Sequence, residues 1–160
     1  MNLRNFRSRV IEITPTVDTS IYADGDVLFV PNAITLSTSE YGESTTDLEI
    51  NDIRVTDDEA QDAAIDILFL VASSAPSVGS LNGSVSATTT DVKGVIPISA
   101  SDYRTVGDGA VAVGDFAPFT ISIPSGSTLY IAGISRGTPT YNAASDLTVQ
   151  VGIRNFAPLP

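Results

Sequence analysis

Asp146-Leu147-Thr148-Val149-Gln150-Val151-Gly152-Ile153-Arg154 is the stretch on which the fold class turns. Leu147, Val149, Val151 and Ile153 fall on one side of an extended chain, and Thr148, Gln150 and Arg154 fall on the other. Successive side chains of a strand point to opposite faces, so this period of two describes an antiparallel strand with one face in a core and one at water.

The same signal recurs upstream. Phe119, Ile121 and Ile123 alternate, Pro124-Ser125-Gly126-Ser127 has turn chemistry, and Leu129 to Ile134 returns as a second strand. The pair is expected to form a hairpin. Gly133 marks a bulge or a close backbone approach. Val92 to Ile98 is a further strand, which Gly94 and Pro97 make twisted or place at an edge. Ser99 to Tyr103 reads as a turn or a single helical turn. In the first half, Arg9 to Thr14 and Asp26 to Val30 are strands, the second interrupted at Pro31-Asn32 and continued by Ala33 to Leu36. Leu48 and Ile50 alternate on one parity, Ile53 and Val55 on the other. That phase shift predicts a β-bulge near Asn51-Asp52.

Asp57 to Ala72 admits two readings. Asp57-Asp58-Glu59 suits the start of a helix, whose positive end favours acids, and Ala60, Ala63, Ala64 and Leu68 would follow. The alternative is a hairpin with its turn at Asp57 to Ala60. Ala63, Ile65, Ile67, Phe69 and Val71 then share one face, and Asp62, Ala64 and Asp66 begin the other. β-Branched and aromatic residues favour the strand. Ser73 to Thr90, rich in Ser, Thr, Gly and Ala, reads as a long surface loop, a common place for a binding surface. Together the runs give an all-β protein: an antiparallel β-sandwich, jelly-roll-like, of about eight strands with extended N- and C-terminal arms. The organisation expected is a basic N-terminal arm over residues 1–12, a sandwich domain over 13–154 and a C-terminal tail over 155–160.

With 160 residues, 42% hydrophobic and 17% charged, the chain has the composition of one globular domain. The longest apolar run, Ile67 to Ala72, is far shorter than the about 20 residues of a membrane helix, so no membrane partner is expected. The basic start lacks an apolar signal core, so no secretory leader is expected. The net charge is −11, and an acidic surface repels phosphate backbones, so nucleic acid is not an expected partner either. Arg4, Arg7 and Arg9 concentrate three of the eight bases in the first nine residues. A basic arm on an acidic body can dock on acidic protein or bind nucleic acid, and protein is the partner favoured.

Histidine and cysteine are both absent. This removes Ser-His-Asp and Cys-His nucleophiles, thiolate metal sites and disulfides. Carboxylate pairs remain: Asp24 with Asp26, Asp57 with Asp58, and Asp62 with Asp66. They read more simply as turn residues and solvated strand faces, and the absence of tryptophan removes the usual sugar platform. Calcium could use Asp57-Asp58-Glu59 or Asp24-Gly25-Asp26, but no EF-hand spacing is present. Neither catalysis nor a cofactor or metal is therefore expected. Asn82-Gly83-Ser84 matches a glycosylation triplet too short to weigh, and Gly107-Asp108-Gly109 is a turn rather than a phosphate cradle. Tyr22, Tyr41, Tyr103, Tyr130 and Tyr141 are candidates for interface anchors or for core packing with the hydroxyl at water.

Thr14-Pro15-Thr16-Val17-Asp18-Thr19-Ser20-Ile21-Tyr22-Ala23-Asp24-Gly25-Asp26 resembles the opening of small structural proteins of tailed bacteriophages. The resemblance continues through the alternating segment Gln61 to Leu70, through Ile98-Ser99-Ala100-Ser101-Asp102-Tyr103, and through Arg136 to Tyr141 with Ser145 to Val149. It covers roughly Ile13 to Ile153, and the order and spacing of the stretches carry it. The nearest kind is the capsid decoration, or cement, protein of jelly-roll type. That likeness implies a homotrimer on the capsid exterior of a virion, bound to the major capsid protein. The basic start and the Pro-rich tail depart from it. On this reading Arg4, Arg7 and Arg9 would pair with capsid carboxylates, and Phe6 and Phe156 would be apolar anchors. The alternative is a receptor- or glycan-binding module of a fibre or tail, with Ser73 to Thr90 as its recognition loop.

Overall fold

A computed structural model describes residues 5–36 and 46–157, with side chains described over 8–36 and 46–155. Ten strands account for most of these residues: β1 (Asn5–Ile13), β2 (Val27–Ala33), β3 (Thr46–Asp57), β4 (Ile65–Ala72), β5 (Val92–Ile98), β6 (Tyr103–Val106), β7 (Gly109–Val113), β8 (Phe119–Ile123), β9 (Thr128–Ser135) and β10 (Leu147–Ala157). A 3₁₀ turn at Ala100–Asp102 precedes β6, as the sequence suggested for Ser99 to Tyr103. Among the described residues no helix is long and apolar enough to cross a membrane.

The strands form two antiparallel sheets. One runs β1-β10-β3-β7-β6, with β8 also on β3; the other runs β2-β9-β4-β5. With the β6–β7 hairpin set aside, the remaining eight strands have the order β1-β10-β3-β8 over β2-β9-β4-β5, which is the two-sheet jelly roll. Length explains the insertion. β3 pairs β8 through Thr46 to Ile50 and β7 through Arg54 to Asp57 on the same edge, while β10 covers its other edge from Leu48 to Asp57. The hairpin turns at Gly107, where φ is +66°. Gly107-Asp108-Gly109 is the turn its residues indicate, and its flanks β6 and β7, of four and five residues, are too short to show an alternation in the sequence.

Leu147, Val149, Val151 and Ile153 all enter the core between the sheets, as the period of two requires. The expected bulge is present. Gly152 pairs Asp52 and Ile153 pairs Ile50, so Asn51 is the extra residue and the parity of β3 changes there. Gly152 is fixed by the same feature: a Cβ at this position would sit 2.7 Å from both Asn51 Oδ1 and Asp52 Cβ. Gly133 is likewise a close approach, with the Phe29 ring lying where a side chain would go. β5 is an edge strand, as Gly94 and Pro97 suggested.

Two local expectations are corrected. β8 and β9 are not a hairpin: β8 joins β3 in one sheet, and β9 lies between β2 and β4 in the other. Pro124 to Ser127 is a turn, with the Ser127 N–H donating to the Pro124 carbonyl at 3.0 Å, but it makes a corner between sheets. Asp57 to Ala72 is strand rather than helix from Ile65 onward, yet β3 and β4 also lie in different sheets. A short turn is compatible with either connection, and the choice depends on which strand edges the rest of the chain leaves open.

Residues 73–91 are not simply a surface loop. Val78 is fully buried in a second apolar cluster with Val27, Leu68, Leu70, Tyr130, Ala132 and Ile134, on the face of the four-stranded sheet that points away from the main core. Backbone bonds tie this strap down: Asn82 N–H to Val27 O at 2.9 Å, Val27 N–H to Gly83 O at 2.8 Å, and Val71 N–H to Asp91 O at 3.0 Å. Covering both faces of β4 and β9 accounts for their unbroken apolar runs, which contrast with the alternation of β10.

The segments named as arms belong to the sheet where they are described. Asn5 through Ile13 pair with Ala157 through Val149, so residues 5–12 form part of edge strand β1, and residues 155–157 form the end of β10. The apolar residues Ile11 and Ile13 supply the reason, packing partly against the main core.

Candidate functional site

Two places gather the residues that could do something: the loops at one end of the sandwich, and the edge where the two chain ends pair. At the loop end, segments 14–26, 57–64 and 136–146 are laced together. The Val17 N–H donates to Ala144 O and the Tyr22 N–H to Pro139 O, both at 3.0 Å. The Asp58 N–H donates to Asp146 O at 2.9 Å, and the Arg136 N–H to Ala64 O at 2.8 Å. Side chains add to this: the Thr140 N–H donates to Gln61 Oε1 at 3.1 Å, and Asn142 Nδ2 to Glu59 Oε2 at 2.6 Å.

Asp57 is the hub. It ends β3, is fully buried, and its carboxylate accepts three backbone N–H groups: Glu59 at 3.0 Å, Gln61 at 2.9 Å and Asp62 at 3.2 Å. The turn needed to aim them puts Ala60 and Asp62 at φ of +48° and +50°. Burial pushes the Asp57 carboxyl above its ordinary value, against the opposing pull of those N–H groups. Tyr22 accepts the Asp18 N–H and donates to Leu28 O at 3.1 Å, and burial pushes its phenol up to about 12. Tyr141 packs edge-on against Tyr22 with centroids 6.2 Å apart. The phenols of Tyr103 and Tyr141 are also pushed up, by burial first and then by the Asp57 charge. Tyr22, Tyr103, Tyr130 and Tyr141 are all buried within the chain, so they are core residues here; Tyr41 lies outside the described residues.

The carboxylate pairs singled out in the sequence have structural partners. Asp66 accepts from Arg136 Nε at 2.7 Å, and Asp24 lies 3.7 Å from the same guanidinium. The Asp26 carboxylate accepts the Ala23 N–H at 2.7 Å, closing a turn. Asp57 is buried while Asp58 is exposed. Among the described residues no group of three or more acids is placed to hold a metal ion. The Asn82 side chain donates to Asp18 Oδ1 and Ile21 O, both at 3.3 Å, pinning the strap to segment 14–26.

No family model matches the chain, and no curated protein matches it. Among solved structures it is similar to a chain of Desmodium yellow mottle tymovirus. The identity is 16%, the TM-score is 0.31, and the match covers 100% of this chain and 85% of that one. The jelly-roll assignment rests on the strand order of the two sheets.

The second place is the β1–β10 edge. Arg4 lies outside the described residues. Arg7 and Arg9 are on β1, opposite Asn155 and Ile153, and Arg9 is exposed. Phe6 and Phe156 are direct register partners. The structure thus brings together the backbone positions of Phe6, Arg7, Arg9 and Phe156, from opposite ends of the sequence. Val10, which follows Arg9 on β1, is 62% exposed. Elsewhere Lys93 and Arg104 are tied to backbone carbonyls, and Arg136 and Arg154 to Asp66 and Glu49. Sequence reasoning missed the loop-end cluster: Asp57, Asp62, Tyr103 and Tyr141 are spread over 85 positions, and no local pattern joins them.

Proposed function

We propose that this chain is a structural, non-enzymatic protein of a phage virion that binds the capsid exterior and bridges neighbouring copies of the major capsid protein, itself assembling as a homotrimer. The observation that carries this reading is the register of β1 on β10. Asn5 stands opposite Ala157, so the described parts of the basic start and of the Pro-rich end meet at one corner of the sheet. Both docking segments then address one site on the shell rather than two. Arg4, Arg7 and Arg9 supply cations against acidic protein, Phe6 and Phe156 supply apolar contacts, and the acidic remainder keeps particles apart. A standard interface buries about 1,600 Å², and a trimer repeats it, so modest contacts multiply through effective concentration. The resemblance of segment 14–26 and the later stretches to decoration proteins points the same way, as does the sandwich fold.

Charge reversal tests this better than truncation, because removing residues 1–12 would also strip β1 from the sheet. The expected result for Arg4→Glu with Arg7→Glu and Arg9→Glu is at least tenfold lower occupancy on capsids by co-sedimentation, with an unchanged circular-dichroism spectrum. Wild-type binding should weaken as salt rises. Occupancy equal to wild type, or glycan binding that survives these changes, would discard the docking model in favour of a receptor-binding module.

A further inference from the structure

We propose that the loop end of the sandwich encloses a single long-lived water molecule, held by Tyr103, Tyr141 and Asp62 beside the Asp57 carboxylate. Three buried oxygens here have no hydrogen-bond partner: Tyr103 Oη, Tyr141 Oη and Asp62 Oδ1. Tyr103 is 6% exposed and Tyr141 1%. An orphaned buried polar oxygen costs enough that native structures seldom keep one.

The fold places them together. Tyr103 pairs Ala112, which pairs Val55, so Tyr103 stands two strand spacings, or about 10 Å, from Val55 of β3, two residues before Asp57. The intervening buried residues of β7 are the small Ala110 and Ala112. Asp62 closes the turn on Asp57, and Tyr141 enters from the segment that Asp58, Glu59 and Gln61 lace to this turn. The groups feel one another: Asp57 and Asp62 both raise the Tyr103 phenol, and Asp57 and Tyr103 both raise that of Tyr141. Yet no hydrogen bond joins the two phenols or Asp62 Oδ1 to one another.

Water fits the inventory of donors and acceptors. Two phenol O–H groups donate to it, and it donates to Asp62 Oδ1, giving the three bonds typical of a buried water. A cation fits worse. Asp57 already accepts three N–H groups, the phenols are neutral, and calcium takes six to eight oxygens. The water would join β6, the turn after β3 and segment 136–146 into one rigid unit.

Tyr103→Phe and Tyr141→Phe, singly and together, decide the matter by denaturant unfolding of the full chain. Each single change should lower the folding constant about tenfold, and the double change should cost less than the product, because both tyrosines hold the same water. A Phe variant that is neutral or more stable would show a dry, tolerated orphan and overturn the proposal. So would a rise in melting temperature on adding calcium that EDTA reverses, which would make the occupant a cation. Should the variants fail to fold, water–protein cross-relaxation in the NMR spectrum of the wild type gives an independent reading. Signals from a water with residence beyond nanoseconds at Tyr103 and Tyr141 support the site, and their absence refutes it.

Discussion

Replacing Asp57 with asparagine sets two effects against each other, and the structure says how they divide with pH. The Asn oxygen can still accept from Gln61 and Asp62, which share Oδ2 at 2.9 and 3.2 Å. Its NH₂ would then face the Glu59 N–H, now bonded to Oδ1 at 3.0 Å, donor against donor. One orphaned donor costs about 1–3 kcal/mol, and the surviving bonds lose their charge assistance. Offsetting this, the variant no longer buries a charge, which is the larger cause of the raised Asp57 carboxyl. A net loss of about 1–2 kcal/mol at pH 7 follows, or roughly 2–8 °C in Tm for a chain of this size.

The sign with pH is fixed by linkage. A carboxyl whose folded pKa lies above its ordinary value of 3.8 binds its proton more tightly when folded. Wild-type stability from this group is therefore greatest below about 3.8 and falls as the pH rises through the folded pKa. Asn does not titrate, so the gap between wild type and Asp57→Asn should be widest near pH 3, narrow through that window and then stay level to pH 7. Urea unfolding of both proteins from pH 3 to 7 measures the difference, in which every other carboxyl cancels. A gap that widens as the pH rises would mean that the three N–H bonds outweigh burial, and a variant as stable as wild type at every pH would remove Asp57 as the hub of the loop end.

Gly152→Ala should cost about 1–3 kcal/mol by thermal unfolding, because its Cβ meets Asn51 Oδ1 and Asp52 Cβ at 2.7 Å; a neutral result would mean that the bulge yields freely. Val78→Ala should cost about 1–2 kcal/mol while raising amide hydrogen exchange over residues 73–91 well before that of β10, since Val78 anchors the strap rather than the main core. Uniform exchange across both regions would show instead that the strap and the sandwich open together.

Much of the strand content was legible because burial on one face writes itself into the sequence. The alternation of Leu147, Val149, Val151 and Ile153 survives any arrangement of neighbours, and the parity change between Ile50 and Ile53 placed the bulge near Asn51-Asp52, which the register narrows to Asn51. Composition was equally direct: a chain with no histidine or cysteine cannot build imidazole or thiolate chemistry. Partners were not legible in the same way. Pro124 to Ser127 has the same turn residues whether it closes a hairpin or rounds a corner, so only the assembled sheets settled that β8 meets β3 while β9 meets β2 and β4. The strap over residues 73–91 and the cluster around Asp57 depend on contacts between segments far apart in sequence, and a one-dimensional pattern does not record which distant surface a buried valine or tyrosine will find. Local period and residue chemistry were determined by the sequence alone. Which edges pair, which loop covers a face, and which polar groups are shut away from water were decided by the tertiary structure, because each depends on the free energy of the whole packed arrangement.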